Sequence, residues 1–346
     1  MPEVNIDMRE PPPDVPLIRR VWARPATALS VLVSATLLVV LYSRVHVGLV
    51  LDALLKADKT WLVVSVGMIL PITFLRAVRF YWVTPSRALV GVGEALRLTL
   101  VASTLNVFLP AKTGDLVKSY FVSTRSHIPA AVAVAIVVYE RLCDLFGLIS
   151  WCVLGWLVGR PQALGLGAGF WYVIGGVGAL CAVLISSERA ALLVQTMTCM
   201  LPDRRLRKLH ELVTGWSSLL RLLRGRRRWI VSYSLVLWLT HLFQLWLFTV
   251  ALGLGIPFTV SVSLSAVALM AGQLPFTFAG LGARDVALVV LLAGYTTPEL
   301  AAAMGVLISS RGLLPPVMGL PIMRPYLASV VEDARVWRRR AAQVPG

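Results

Sequence analysis

The sequence has little charge and few residues that carry chemistry. Only 14% of its 346 residues are charged, whereas 58% are hydrophobic. A soluble protein of this length could not cover so much apolar surface with so few charges, which excludes a soluble globular fold. The net charge of +16 is therefore attributed first to basic loops on the cytoplasmic side of a membrane. Nucleic acid is not an expected partner, because no soluble domain is left to bind it.

Cysteine and histidine are also scarce and scattered. The chain has four of each, with no C-x-x-C motif and no Cys/His cluster, so it predicts neither a disulfide framework nor a metal site. It also lacks the G-x-S-x-G, H-E-x-x-H, Walker and G-x-G-D motifs that would indicate a hydrolase or a nucleotide site. We therefore expect no cofactor and no enzymatic activity.

Long apolar windows are abundant, and they predict an all-α polytopic membrane protein with roughly eight membrane-embedded segments. Lys and Arg collect in a few loops, so the positive-inside rule places both termini in the cytoplasm, with the chain in the cell (inner or plasma) membrane. The first apolar run, 25–42, has no A-x-A cleavage site and reads as an uncleaved span. The predicted organisation is a disordered cytoplasmic tail (1–24), a transmembrane domain (25–325) and a basic cytoplasmic tail (326–346).

Two apolar stretches share one buried pattern, a Pro/Gly break beside an acid followed by an arginine deep in an apolar helix. Arg141 follows Asp115 by 26 positions, and Arg311 follows Asp285 by the same number. The repeat halves are about 61–158 and 229–321, separated by a basic, cytoplasmic, helical stretch at 188–228. The first break enters from the cytoplasm and the second from outside. This predicts two broken, re-entrant segments in an inverted-topology repeat, an arrangement that supports alternating access.

The deep arginines are the first candidate site residues. Insertion scales put a mid-membrane arginine at about 2.5–3.5 kcal/mol unfavourable, so Arg141 and Arg311 each need a partner or a water-filled cavity. Glu140 and Asp144 lie within a turn of Arg141 and could neutralise it in a structural cluster. Alternatively, the two arginines converge on one anionic lipid headgroup, since the guanidinium fork suits phosphate.

The breaks and the second span supply the other candidates. Glycines in the breaks can bring backbone N–H groups close to a phosphate at a helix N-terminus, whereas Asp115 and Asp285 could simply cap their helices. Arg76 and Arg79 end the second span, either as positive-inside anchors or as a vestibule that draws in anionic headgroups from the cytoplasmic leaflet.

These motifs together resemble the transmembrane region of lysylphosphatidylglycerol synthases, a family of flippase-like membrane proteins, over about 25–325. The family usually has glutamate where Asp115 and Asp285 stand, and often arginine at Lys112. The resemblance implies movement of a lipid between leaflets, with these candidate substrate-binding residues: Arg76, Arg79, Asn106, Lys112, Gly114, Asp115, Glu140, Arg141, Asp144, Gly280, Gly282, Arg284, Asp285 and Arg311.

Three functions remain open at this stage. The first is a flippase or transporter for an anionic or phosphate-bearing membrane lipid. The second is a non-transporting scaffold or accessory subunit for a glycosyltransferase or lipid-modifying enzyme, which would depend on the basic stretch and tolerate loss of Arg141. The third is an intramembrane transferase that uses a polyprenyl-phosphate donor, with Asp115 or Glu140 as base. Bifunctional relatives carry a cytosolic aminoacyl-transferase domain, which we do not expect in this chain.

Overall fold

The computed structural model describes residues 25–85, 89, 91–108, 114–126, 128–159, 167–199, 204–273 and 280–341. This part of the chain contains helices and no strand, as the composition predicts. The helices are α1 (Pro25–Arg44), α2 (Val47–Lys56), α3 (Lys59–Gly67), α4 (Ile69–Val83), α5 (Val92–Phe108), α6 (Asp115–Ser126), α7 (Ala130–Gly159), α8 (Ala168–Ser186), α9 (Glu188–Cys199), α10 (Arg204–Leu222), α11 (Arg227–Ala251), α12 (Phe258–Ala271), α13 (Ala283–Leu292) and α14 (Pro298–Ala341).

Local sequence explains where the second span begins. The Asp58 carboxylate accepts the backbone N–H groups of Thr60 (2.8 Å) and Trp61 (3.2 Å), so it caps the free donors of α3. Pro71 lies in the first turn of α4, and its missing N–H omits the bond to the Gly67 carbonyl at the junction of α3 and α4. Together, α3 and α4 form one apolar helix of 25 residues.

Among the described residues, four helices are long and apolar enough to cross a membrane: Lys59–Val83, Gly169–Ser186, Arg227–Ala251 and Pro298–Ala328. The pair α1 and α2 is bent by 84° and could add a fifth span or form a re-entrant loop. α7 has 30 residues, about 45 Å of helix, with Glu140, Arg141 and Asp144 near its middle. The all-α membrane class is confirmed, while the number of membrane-embedded segments remains a prediction.

Both predicted breaks interrupt a helix. α5 ends at Phe108 and α6 begins at Asp115, while α12 ends at Ala271 and α13 begins at Ala283. The two helices on either side of each break pack against each other, so each broken segment forms a helical hairpin. Lys112 and the Leu-Pro pairs of the two breaks, Leu109-Pro110 and Leu274-Pro275, lie outside the described residues.

The two hairpins are joined to each other by reciprocal packing. The long helix after the first hairpin, α7, packs on α12, and the long helix after the second, α14, packs on α5. At one crossing Ser263 Oγ donates to the Cys152 carbonyl (3.1 Å), and at the other Thr104 Oγ1 donates to the Pro316 carbonyl (2.9 Å). Gly155 lies three residues after Cys152, and Gly319 lies three residues after Pro316. Each glycine lets the two helices approach closely.

The described parts of the stretch 188–228, residues 188–199 and 204–228, are mainly helical, as predicted, and one of these helices enters the protein core. Leu219 and Leu220 of α10 are fully buried, and Gly215 packs against the backbone of Ala131 in α7. The helix is amphipathic and therefore buries its apolar face on α7. At the corner with α11, Glu188 accepts hydrogen bonds from Arg224 and Arg227, which fixes the turn. The cytoplasmic location of this stretch remains a prediction.

Candidate functional site

The buried acids of α7 are held by an arginine from another helix. Arg79 of α4 places Nη1 2.6 Å from Asp144 Oδ1 and Nε 3.7 Å from Glu140 Oε1. Asp144 also accepts the indole N–H of Trp238 at 3.0 Å, and Arg79 is only 2% exposed. The expectation that Arg79 is a positive-inside anchor at the membrane surface is therefore wrong, because its guanidinium forms ion pairs with two buried carboxylates.

A second set of charges extends this arrangement. Lys118 of α6 lies 3.4 Å from Glu140 Oε2 and 3.8 Å from Asp115 Oδ1, and Arg141 forms an ion pair with Asp115. Asn106 at the end of α5 donates to Asp115 Oδ1 at 3.3 Å. We call this group the first polar cluster; it comprises Arg79, Asp115, Lys118, Glu140, Arg141 and Asp144. Its three cations and three carboxylates balance.

The observed partner of Arg141 differs from the one expected within its own helix. Successive residues of an α-helix point about 100° apart, so Glu140 and Arg141 cannot share a face. Glu140 and Asp144 face Arg79, while Arg141 faces the hairpin and pairs with Asp115. The ion pair therefore joins Asp115 and Arg141, the two residues whose separation of 26 positions defines the sequence repeat. Asp115 serves as an ion-pair partner for two cations.

In the second half, the corresponding residues Asp285 and Arg311 do not form an ion pair with each other. Asp285 pairs with its neighbour Arg284 at 2.8 Å and accepts the Gly282 N–H at 3.1 Å, so it secures the start of α13. Arg284 also donates to Ser309 Oγ of α14 at 2.6 Å.

Arg311 is buried with neutral partners. It is 8% exposed, donates to Gln244 Oε1, and approaches His241 Nδ1 at 3.4 Å. No carboxylate of the described residues lies within ion-pair distance of it. We call Arg284, Asp285, Ser309, Arg311, His241 and Gln244 the second polar cluster. Its two arginines face one carboxylate, so it carries one excess positive charge.

Arg76 lies between the two clusters. Two hydrogen bonds, Tyr233 Oη to the Leu75 carbonyl (3.1 Å) and Gln244 Nε2 to the Ser65 carbonyl (2.6 Å), show that α3–α4 and α11 run antiparallel. Helical side chains tilt toward their own N-terminus, which directs the half-buried Arg76 toward the level of His241. Its charge acts electrostatically on Arg141 and on Arg311, and within the described chain it has no ion-pair partner.

The glycines of the breaks make protein contacts. A Cβ at Gly114 would lie 2.6 Å from the Ala102 carbonyl oxygen and from the Asn106 nitrogen. Gly280 and Gly282 have φ angles of 78° and 85°, and a Cβ at Gly282 would lie 2.9 Å from Cβ of Leu37 in α1. The structure thus uses these glycines for close helix packing, where the sequence had suggested close approach to a ligand.

Several residues of the two clusters were missed by sequence reasoning. Lys118 was not among the candidate residues. Four residues of α11 were also overlooked: Ser234, Trp238, His241 and Gln244. Their spacing of four, three and three residues places them on one face of an apolar span, and this periodic polar stripe is the signal that could have revealed them.

The described residues contain no group of three or more His, Cys, Asp or Glu side chains that could hold a metal ion. The site is therefore an arrangement of cations, acids and neutral polar groups inside an apolar helix bundle. Such groups are costly in a membrane interior and typically face a cavity or a pathway for a polar substrate.

No curated protein sequence matches the chain. A family model described as the lysylphosphatidylglycerol synthase TM region matches residues 27–318, which include every residue of the two polar clusters. The apolar helices, the two hairpins and this match agree: the chain is an integral membrane protein and belongs to the lysylphosphatidylglycerol synthase transmembrane-region family.

Proposed function

We propose that this protein moves an anionic, phosphate-bearing lipid between the leaflets of the cell membrane by alternating access. The observation that carries the proposal is Arg311, a buried arginine whose partners are neutral. An unpaired charge in a protein interior costs several kcal/mol. A lipid phosphate entering the bundle would supply the missing charge and bind the guanidinium fork.

The arrangement of the two halves supports alternating access. Each long helix packs on the first helix of the opposite hairpin, and each crossing combines a hydroxyl-to-carbonyl bond with a close glycine. Reciprocal packing of this kind is what an inverted-topology repeat would produce, and rocking of one half against the other would open the centre to alternate faces. We further propose that both termini face the cytoplasm and that the protein catalyses no chemical step.

The headgroup site that we propose is formed by Arg311 and Arg76, with His241 beside them. Arg141 was the other arginine expected from the sequence, but it is held by Asp115. We assign the first polar cluster to holding the first hairpin on α4 and α7, because its charges already balance. The lipid would then contact the cations that this cluster leaves free.

We expect Arg311→Ala to lower lipid translocation by roughly ten- to a hundredfold, because a hydrogen bond to a charged group is worth about 1.5–3 kcal/mol. Arg311→Lys should rescue it partly at most, since lysine keeps the charge but loses the fork. The measurement is dithionite quenching of fluorescent anionic lipids in proteoliposomes. Arg97→Ala, which removes an exposed arginine of α5, is the matched control.

Normal translocation by a well-folded Arg311→Ala protein would contradict the proposed site. If that variant also kept its cellular role while neutralising Arg226 and Arg228 abolished it, the protein would be a scaffold that acts through its basic surface. Chemical conversion of the lipid in detergent would instead indicate a transferase.

A further inference from the structure

The charges of the two polar clusters and Arg76, taken together, do not sum to zero. Among the described residues, the buried charged side chains are four cations (Arg79, Lys118, Arg284 and Arg311) and four carboxylates (Asp115, Glu140, Asp144 and Asp285). The half-buried Arg76 and Arg141 add two positive charges to this balanced set. The two polar clusters together with Arg76 therefore hold six cations and four acids, an excess of two.

The excess can be assigned to particular residues. The first polar cluster is balanced once Arg141 is counted with Asp115. In the second polar cluster, Arg284 is matched by Asp285 at 2.8 Å, which leaves Arg311. Arg76 is the other unmatched cation. The two are presented from α4 and α14, helices that pack against each other, and both lie near the level of His241 on α11.

We propose that the headgroup site takes a dianion, meaning a lipid that ends in a phosphomonoester. This inference rests on the proposed function and specifies its substrate class. A phosphomonoester brings two negative charges at a pH above its second pKa of about 6, and so neutralises both unmatched arginines. A phosphodiester headgroup brings one charge and leaves one arginine uncompensated.

The same count excludes lipids with a positive headgroup. An aminoacylated phosphodiester lipid carries one phosphate charge and two ammonium charges in the case of lysine, so it would raise the buried excess from two to three. Like charges enclosed in a low-dielectric interior repel strongly. His241 suits the dianion, because the tautomer whose Nδ1 accepts from Arg311 carries its proton on Nε2 and can donate it to a phosphate oxygen.

The test compares headgroups of different charge on the same acyl chains at pH 8. Fluorescent phosphatidic acid, phosphatidylglycerol, phosphatidylethanolamine and lysyl-phosphatidylglycerol are offered to proteoliposomes, and binding of each lipid in detergent is measured by native mass spectrometry. We expect phosphatidic acid to be preferred over phosphatidylglycerol by about tenfold, the value of one charge-assisted hydrogen bond. Trapped inorganic phosphate is a parallel arm, and its release at the lipid's rate would overturn the lipid headgroup as the source of the dianion.

Arg76→Gln gives the sharper result, because it lowers the excess from two to one. The preference should then shift toward the monoanionic phosphatidylglycerol, and phosphatidic acid should lose its advantage. Arg97→Gln, at an exposed site on α5, should leave the preference unchanged. A purely structural role for Arg76 would reduce all lipids alike and would not reorder them.

The outcomes separate the two proposals. Translocation without preference for the dianion, or an Arg76→Gln protein with the wild-type preference, overturns the dianionic site and leaves lipid transport standing. Selective binding of phosphatidic acid without translocation of any lipid overturns transport and supports the dianionic site.

Discussion

Arg79→Ala is expected to destabilise the protein by about 3–5 kcal/mol, the usual consequence of removing one partner from a buried ion pair. The substitution leaves Asp144 in the interior without its counter-charge, and it leaves Glu140 with Lys118 as its remaining cation. Arg79 is 2% exposed, so water cannot replace it without opening the bundle. The measurement is thermal unfolding in detergent micelles, followed by tryptophan fluorescence.

Arg97→Ala is the control, because it removes an exposed arginine and should leave the melting temperature unchanged. Combining Arg79→Ala with Asp144→Asn should recover part of the loss, since the second change removes the charge that the first one strands. An Arg79→Ala protein as stable as wild type would show that the two acids are neutral or hydrated, and would contradict the ion-pair network.

Gly114→Ala should be almost as damaging, although it adds a single methyl group. The new Cβ would lie 2.6 Å from the Ala102 carbonyl oxygen and 2.7 Å from Asn106 Oδ1, so α6 would have to move away from α5. Overpacking of a tight contact costs about 1–3 kcal/mol of stability. Asp115 is the next residue, so it would be displaced together with residue 114. We therefore expect both lower stability and loss of the Asp115–Arg141 pair.

Gly93→Ala is the matched control, because a Cβ at Gly93 would meet nothing within 4 Å. Unfolding and lipid translocation should be measured for both variants. If Gly114→Ala behaves like Gly93→Ala, α6 is not packed against α5 as tightly as the structure shows.

Sequence reasoning located the deep charges and missed how they pair. The apolar setting of Arg141 and Arg311 required a partner or a water-filled cavity for each. Arg141 pairs with an acid across its hairpin, whereas Arg311 binds Gln244 and His241. The difference arises because Asp285 is taken by the adjacent Arg284, a neighbour that Asp115 lacks.

The sequence by itself determined the membrane environment, the helical class, the two breaks and the residues that could not lie in lipid unaccompanied. These properties depend on composition and on local periodicity, which can be read directly from the order of residues. Tertiary structure alone decided that Arg79 meets Asp144 across 65 positions and that Arg311 meets no acid in the part of the chain that the structure describes. Such pairings depend on how each helix is rotated and which helix it packs against. A rotation of one residue turns a side chain by about 100° and exchanges its partners.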